Sequence, residues 1–391
     1  MSSHHFRSTR AEVDAAAIAR NTRRLLDAAG DGAQLCAVVK ADGYGHGLVT
    51  AAQAALSGGA TWLAVALVEE GIALREAGVA APVLVLSEPP AAAAAALLAR
   101  DLTPTVYRAE FLHALEDAAV QRGEVARVHV KLDTGMTRVG VAAEDWDAVL
   151  ALLAASDHLE VEGCQTHLAR ADEPDVPTTA VQLERFAAAL DVLRSLSLAP
   201  RLVHVANTAG ALLHTPAWRA VLAAGAPGAV PLVRAGIGLY GLDPGPAVSA
   251  AAHGLEPAMR LVSEVSHVRR IDAGTPVSYG HRWSAPADGW LATVPIGYAD
   301  GVPRTLTGRL DVLHRGARRA VVGTITMDQV LVWCADVPPA VGDEIVLIGH
   351  AGGGAAGSAG IGMEEWAERS GTITYEIATG ISARVPRVVV G

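Results

Sequence analysis

The chain predicts an α/β protein, a closed (β/α)8 barrel followed by a second, mainly β domain. Three observations carry this. In the first half, short apolar runs alternate with alanine- and leucine-rich stretches of helical period, the pattern of parallel βα units. Eight such runs can be counted, the number that closes a barrel. After the Pro/Gly stretch "GLDPGPAVSAAAHG" (241–254) the helical period gives way to alternating or apolar segments separated by turn residues.

In order, a helical pattern opens at Ala11, "AEVDAAAIARNTRRLLDAAG", and stops at Gly30. The eight runs are then "QLCAVVKA", "TWLAVALV", "PVLVLS", "LTPTVY", "ARVHVKLD", "VEGCQTHL", "LVHVAN" and "LVRAGIGLYG". The fourth is the weakest strand, and an open doubly wound sheet is the alternative architecture. Between the runs lie helical stretches such as "RAEFLHALEDAAVQRG" and "TTAVQLERFAAALDVLRSLS". Beyond the linker, "MRLVSEVSHVRRI", "GWLATVPIGYAD", "RRAVVGTITM", "QVLVWCAD" and "DEIVLIG" read as strands. "GHAGGGAAGSAGIG" reads as a flexible surface loop, "MEEWAERSG" as a short helix and "RVPRVVVG" as a last strand. The division is a barrel over 11–245 and a β domain over 246–391, with residues 1–10 going with the latter.

Composition narrows the function. Of 391 residues 51% are hydrophobic and 18% charged, a globular balance with room for two cores. A net charge of −10 argues against nucleic acid and acidic membranes as partners, which reward basic patches. No apolar run is long enough to span a bilayer, and "MSSHHFRSTRAEVD" has no hydrophobic leader core, so the chain reads as cytoplasmic. Three widely spaced cysteines in apolar settings read as buried thiols, and neither they nor the dispersed histidines have metal-ligand spacing.

Only two lysines, Lys40 and Lys131, stand against 29 arginines. Arginine replaces a surface lysine in most tasks, but it does not shed its proton or act as a nucleophile. A desolvated lysine amine can form a Schiff base with an aldehyde or add carbon dioxide. Drift from lysine to arginine explains the scarcity, not the placement of both survivors at the ends of strand-like runs. In a barrel, reactive side chains belong at those ends and phosphate sites follow the last two strands. The ends carry Lys40, then Lys131 with Asp133, then His167. The seventh run ends in His204 and Asn207-Thr208, and the eighth carries Arg234 and Gly236. The "GYGHG" after Lys40 fits neither the dinucleotide fingerprint nor the phosphate loop, but its glycines let backbone and Tyr44 approach a bulky planar ligand.

"AVVKADGYGHG" resembles the pyridoxal-phosphate lysine motif of bacterial alanine racemases. "KLDTGMTRVG", "THLARADE", "HVANTAG", "VRAGIGLYG", "VSYG", "PIGYADG", "GTITMDQ" and "TITYEIATGISARVPR" resemble further blocks of that family, in the same order, over essentially the whole chain. The resemblance implies a barrel followed by a β domain, dimerised head to tail, with alanine as substrate and pyridoxal 5'-phosphate as cofactor. Lys40 would hold the cofactor as a Schiff base and then act as a general base. Tyr279 would be the opposing base, supplied by the partner subunit. His167 and Arg234 would form a relay behind Tyr279, with His204 beyond. Arg234 would face the ring nitrogen and only donate to it. Cofactor contacts would fall to Tyr44, His204, Asn207, Thr208, the amides of Gly236 and Ile237, and Tyr375. Arg138, Met327 and Tyr298 would meet the substrate, and Lys131, often carbamylated in the family, would hold Arg138. The alternative for Lys131 is pairing with Asp133.

Thr208 stands where the family more often has serine, Ala235 replaces a common proline, and "EIATG" lacks a frequent cysteine. None removes a functional group. They leave serine and other small amino acids open as substrates, since a few atoms are worth only about 1–3 kcal/mol in a pocket. A barrel-type pyridoxal-phosphate decarboxylase would place an acid at the ring nitrogen, against Arg234. A non-enzymatic cofactor carrier would leave the β domain and its tyrosine unexplained.

Overall fold

Apolar runs flanked by helices bury both faces of their strands, and here they become strands of a parallel barrel. The computed structural model describes residues 6–353 and 359–391. The chain enters through β1 (Arg10–Asp14) and a helix, Ala15–Ala29. The barrel follows: β2 (Gln34–Val38), β3 (Trp62–Val65), β4 (Val83–Val85), β5 (Thr103–Val106), β6 (Ala126–Lys131), β7 (Leu159–Gln165), β8 (Leu202–His204) and β9 (Val230–Ala235). They pair in sequence order, and β9 closes onto β2 with Cys36 beside Arg234. The open-sheet alternative is thereby set aside. The weak fourth run is β5. Its Pro104 has no amide for the ladder, and β5 meets each neighbour through only two register pairs.

By its contacts the chain forms two units, one of Ile18–Gly43 and Leu48–Glu256, the other of Met1–Ala17, Tyr44–Gly47 and Pro257–Gly391. The second is built on a ten-stranded sheet. In it β1 pairs antiparallel with Met259–Glu264 and parallel with Arg387–Val390. This corrects the helix expected to open at Ala11. The alternation of "RAEVD" buries Ala11 and Val13, and the helix begins only where the Asp14 carboxylate accepts the Ala17 amide at 2.8 Å. The glycine-rich loop is likewise not all loop. Gly360–Ile361 pairs with the strand Glu344–His350, while residues 354–358 of that expectation lie outside the described residues. The last strand covers only Arg387–Val390, and "TITYEIATG" supplies an unexpected helix, Thr374–Gly380.

One buried carboxylate organises this second unit. Asp300 is fully buried, and Arg7 forks onto its two oxygens at 2.8 and 2.7 Å. The Gly297 amide adds a third bond at 2.9 Å, which closes the short helical turn Tyr298–Asp300. Asp300→Ala leaves Arg7 with only the Pro295 carbonyl and the Gly297 amide without its acceptor. It should destabilise the protein by about 3 kcal/mol or more, read from urea denaturation. A loss below about 1 kcal/mol would mean that the Arg7 pair does not hold the turn.

Candidate active site

The C-terminal ends of the barrel strands gather the charged and polar residues the sequence singles out. Lys40 follows β2 directly. Burial, with the positive charge of Arg138 in second place, lowers the proton affinity of its amine, and Glu70 opposes the change. The chain then makes an unusual turn. Ala41, Asp42 and Gly43 all lie in the left-handed region, with φ of 53°, 54° and 61°, and Tyr44 follows at 51°. For a residue with a Cβ this costs about 1–2 kcal/mol each, so other bonds must hold the turn. The Gly43 amide reaches Val39 O at 2.8 Å, the Ala41 amide reaches Glu70 Oε1 at 2.6 Å, and Asp42 Oδ1 accepts the Leu48 amide at 2.8 Å. A Cβ on Gly43 would stand 2.8 Å from that of Ala51, which requires glycine here for space as well as for φ.

Arg234 on β9 is the buried cation of the site. Its guanidinium donates to the carbonyls of His204 (3.0 Å), Thr166 (2.5 Å) and Val205 (3.3 Å), and to His167 Nδ1 at 3.1 Å. A guanidinium only donates, so His167 Nδ1 carries the lone pair and its proton sits on Nε2. Burial, and then the charge of Arg234, holds His167 neutral well below the usual imidazole range. His204 is held neutral by burial, His129 and Arg234. Burial brings Arg234 itself to about 10, which still leaves it charged at neutral pH.

His204 Nε2 meets His129 Nδ1 at 2.8 Å. Sequence reasoning passed over His129. The signal was there: it precedes Lys131 by two on β6, and residues two apart share a strand face. Lys131 is 7% exposed. Burial and the charges of Arg234 and Arg138 bring its amine to about 8, with Asp133 opposing. Asp133 points one oxygen into its own loop, accepting the amides of Gly135, Met136 and Thr137 at 2.9, 3.1 and 3.1 Å. That bracing shapes the segment leading to Arg138, whose side chain is exposed.

After β8 and β9 come two short turns. Asn207 Oδ1 caps the helix Thr208–Leu213 through the Gly210 amide at 2.9 Å. Thr208 Oγ1 accepts the amides of Gly236 (3.2 Å) and Gly238 (3.4 Å), which anchors the turn Ile237–Tyr240. A Cβ on Gly238 would lie 2.6 Å from the Thr208 methyl, so glycine admits the threonine.

The other unit holds the remaining residues. Tyr44 and Tyr375 place their rings 6.1 Å apart at 51°. Burial, with Tyr375 beside it, pushes the Tyr44 phenol up, so it stays a hydroxyl donor. Tyr279, Tyr298 and Met327 are 75%, 41% and 51% exposed. The turn 324–327 brings their segments together. Thr324 Oγ1 donates to Tyr279 O at 2.8 Å, the Tyr298 amide to Thr326 O at 3.0 Å, and the Ala299 amide to Met327 O at 3.0 Å. Among the described residues, no group of three His, Cys, Asp or Glu is placed to hold a metal, and no helix is long and apolar enough to cross a membrane.

The Lys131 shift makes a thermodynamic statement. Its amine binds a proton more weakly folded than unfolded, so between pH 8 and about 10.5 the unfolded chain holds more protons and stability rises with pH. Below pH 8 both states are protonated and the gain is absent. In buffer free of carbon dioxide, the stability of the protein relative to Lys131→Met should therefore increase over that window, by up to about 3 kcal/mol. A flat difference would mean that Lys131 is not desolvated.

Residues 13–244 match the family model for the alanine racemase N-terminal domain, and residues 258–389 that for the C-terminal domain. The chain is 44% identical to the alanine racemase of Symbiobacterium thermophilum over 97% of each chain. It is 42% identical to that of Frankia casuarinae over 96% of this chain and 95% of the relative. The crystal structure of alanine racemase from D-cycloserine-producing Streptomyces lavendulae superimposes with a TM-score of 0.91 at 35% identity, covering 99% of this chain and 98% of that one. With both domain models matched in order and identity sustained over nearly the full length, the chain belongs to the alanine racemase family.

Proposed function

We propose that the protein interconverts L- and D-alanine with pyridoxal 5'-phosphate, supplying D-alanine for peptidoglycan in the cytoplasm, and that it works as a head-to-tail dimer. The observation that carries this reading is the amine of Lys40, desolvated at the end of the first barrel strand and set in a strained turn. The surrounding groups suit the cofactor. Lys40 would hold it covalently. Thr208 and the amides of Gly236 and Ile237, at turns after the last barrel strands, would take its phosphate, and the resemblance adds the hydroxyls of Tyr44 and Tyr375. Asn207 and His204 would support that cradle and the ring side. Bound there, the cofactor supplies an electron sink that acidifies the Cα–H of an amino acid.

The protein's own groups then move the proton. Lys40 Nζ, once its amine is free, takes the Cα proton on one face or returns it there. Tyr279 Oη, from the partner subunit, does the same on the other face. His167 and Arg234 act as the relay behind Tyr279. His167 suits the task because its Nε2 carries the proton and Nδ1 is fixed on Arg234. Arg234 would also face the ring nitrogen. It donates without giving up its proton, which keeps the sink weak and favours prompt return of the proton to Cα over transamination. Arg138 pairs with the substrate carboxylate, helped by the Met327 amide and Tyr298. Lys131, with its amine near 8, is neutral in a useful fraction of molecules. It can add carbon dioxide with loss of a proton, and the carbamate's charge would then hold Arg138 instead of repelling it. The exposure of Tyr279, Tyr298 and Met327 supports a partner subunit as their cover.

The purified protein should interconvert the alanine enantiomers and carry a chromophore that borohydride fixes onto Lys40. No interconversion, or fixation elsewhere, refutes the reading. The two-base arrangement has its own test. Tyr279→Phe should abolish α-proton exchange of L-alanine and leave some exchange of D-alanine, whereas Lys40→Ala should lose both. Subunits of the two inactive variants, mixed at random, should recover about one quarter of the activity, because their heterodimer holds one complete site. If heterodimers form and recover nothing, the sites are not shared.

A further inference from the structure

Lys40 sits on the first βα turn, but one of the groups that hold this turn belongs to the second. Glu70 lies three residues into the helix Val68–Glu76, where a carboxylate commonly caps the helix start. One of its oxygens does so. Oε2 accepts the amides of Ala66 at 2.9 Å and Leu67 at 3.1 Å. The other oxygen does something a cap does not require. Oε1 accepts the amide of Ala41 at 2.6 Å, across 29 positions of sequence, from the residue next to Lys40. Ala41 opens the left-handed run, a conformation that reverts to the right-handed side when nothing opposes it.

We propose that Glu70 is the positioning residue of Lys40: a single carboxylate bridges the turns after β2 and β3 and clamps the left-handed segment that aims the amine. The inference rests on the reading of Lys40 as the cofactor lysine, but the clamp can be measured without it. The hydrogen bonds of Glu70 run to backbone amides, which makes its role one of holding the turn. Its charge is also the one that favours the ammonium form of Lys40, against burial and Arg138. The other titratable groups near the amine are Lys131 and the neutral His167, each of which registers the charge of Lys40. Glu70 does not figure among the groups acting on Lys131, which feels it only through Lys40, so Lys131 is the less sensitive comparison.

With two lysines in the chain, reductive methylation with 13C-formaldehyde, after any bound cofactor is removed with hydroxylamine, gives two side-chain signals besides that of the terminal amine. Lys131→Arg assigns them. Glu70→Gln keeps one carbonyl oxygen but loses the bridge and the charge; Glu70→Ala loses all three. In both, the Lys40 signal should move and titrate at lower pH, while that of Lys131, coupled to Glu70 only through Lys40, should move much less. On unmethylated protein, attachment of pyridoxal phosphate to Lys40, trapped with borohydride, should slow between about ten- and a hundredfold, more in Glu70→Ala than in Glu70→Gln. Glu70→Asp, which can cap the helix but is one methylene too short to bridge, should resemble Glu70→Gln in trapping while keeping helix stability. Should Glu70→Ala fail to fold, Glu70→Gln and Glu70→Asp decide alone. A Lys40 signal and trapping rate unchanged in those two variants overturns the clamp. If wild-type protein attaches no cofactor at Lys40, the proposed function fails, and the methyl signals still decide on Glu70.

Discussion

A guanidinium buried at the mouth of the barrel must find acceptors there, and the surroundings of Arg234 follow from that need. Its hydrogen bonds run to three backbone carbonyls and one imidazole, none of which neutralises the charge. An uncompensated cation in a low-dielectric setting acts at range on every titratable neighbour. Burial first, and then this charge, keeps His167 and His204 neutral and brings Lys131 to about 8. The tautomer of His167 is settled by the same contact, since its Nδ1 must accept. A carboxylate in place of Arg234 would remove that added push and pull the imidazoles and Lys131 back toward holding their protons, against a burial that remains.

The barrel supplies what that arrangement needs. Strands buried on both faces leave their C-terminal ends as the places where polar side chains can emerge. β2, β6, β7, β8 and β9 each deliver one or more site residues at or just after that end. Lys40 emerges into a turn whose backbone is held against its own preference. The carboxylates of Glu70 and Asp42, together with the Gly43–Val39 bond, oppose that preference. Strain balanced in this way has a clear benefit: the amine is aimed before any ligand arrives, so binding does not have to order it.

Much of this was legible beforehand, for identifiable reasons. Eight apolar runs became eight strands because a parallel barrel strand is buried on both faces and reads as a continuous run. The helix drawn from Ala11 was wrong. "RAEVD" is too short for its alternation to outweigh the helical pattern that follows, and its partners lie more than two hundred residues away. The helix at Thr374–Gly380 was missed because a β-branched "TIT" and a terminal glycine disguise it. In the site, Lys40, Lys131, His167 and Arg234 stood out by residue type and strand position. Glu70 and His129 did not. A glutamate in the first turn of a helix and a histidine on a strand are ordinary until coordinates show that one bonds Ala41 and the other meets His204.

The scarcity of lysine can now be put in physical terms. Elsewhere on this chain cations pair in the open, as Arg20 does with Glu256 or Arg318 with Glu365, and there a guanidinium serves as well as an amine or better. At positions 40 and 131 the amine is half-buried or buried and feels nearby arginines, and it loses its proton more easily than a free lysine. Burial draws both amines below their ordinary value. The same burial leaves Arg234 at about 10, still charged at neutral pH. Arginine at either lysine position would add a permanent charge to a pocket that already holds one. It would also remove the nucleophile. On the proposed function, these are the two places where losing a proton matters, and there arginine cannot stand in for lysine.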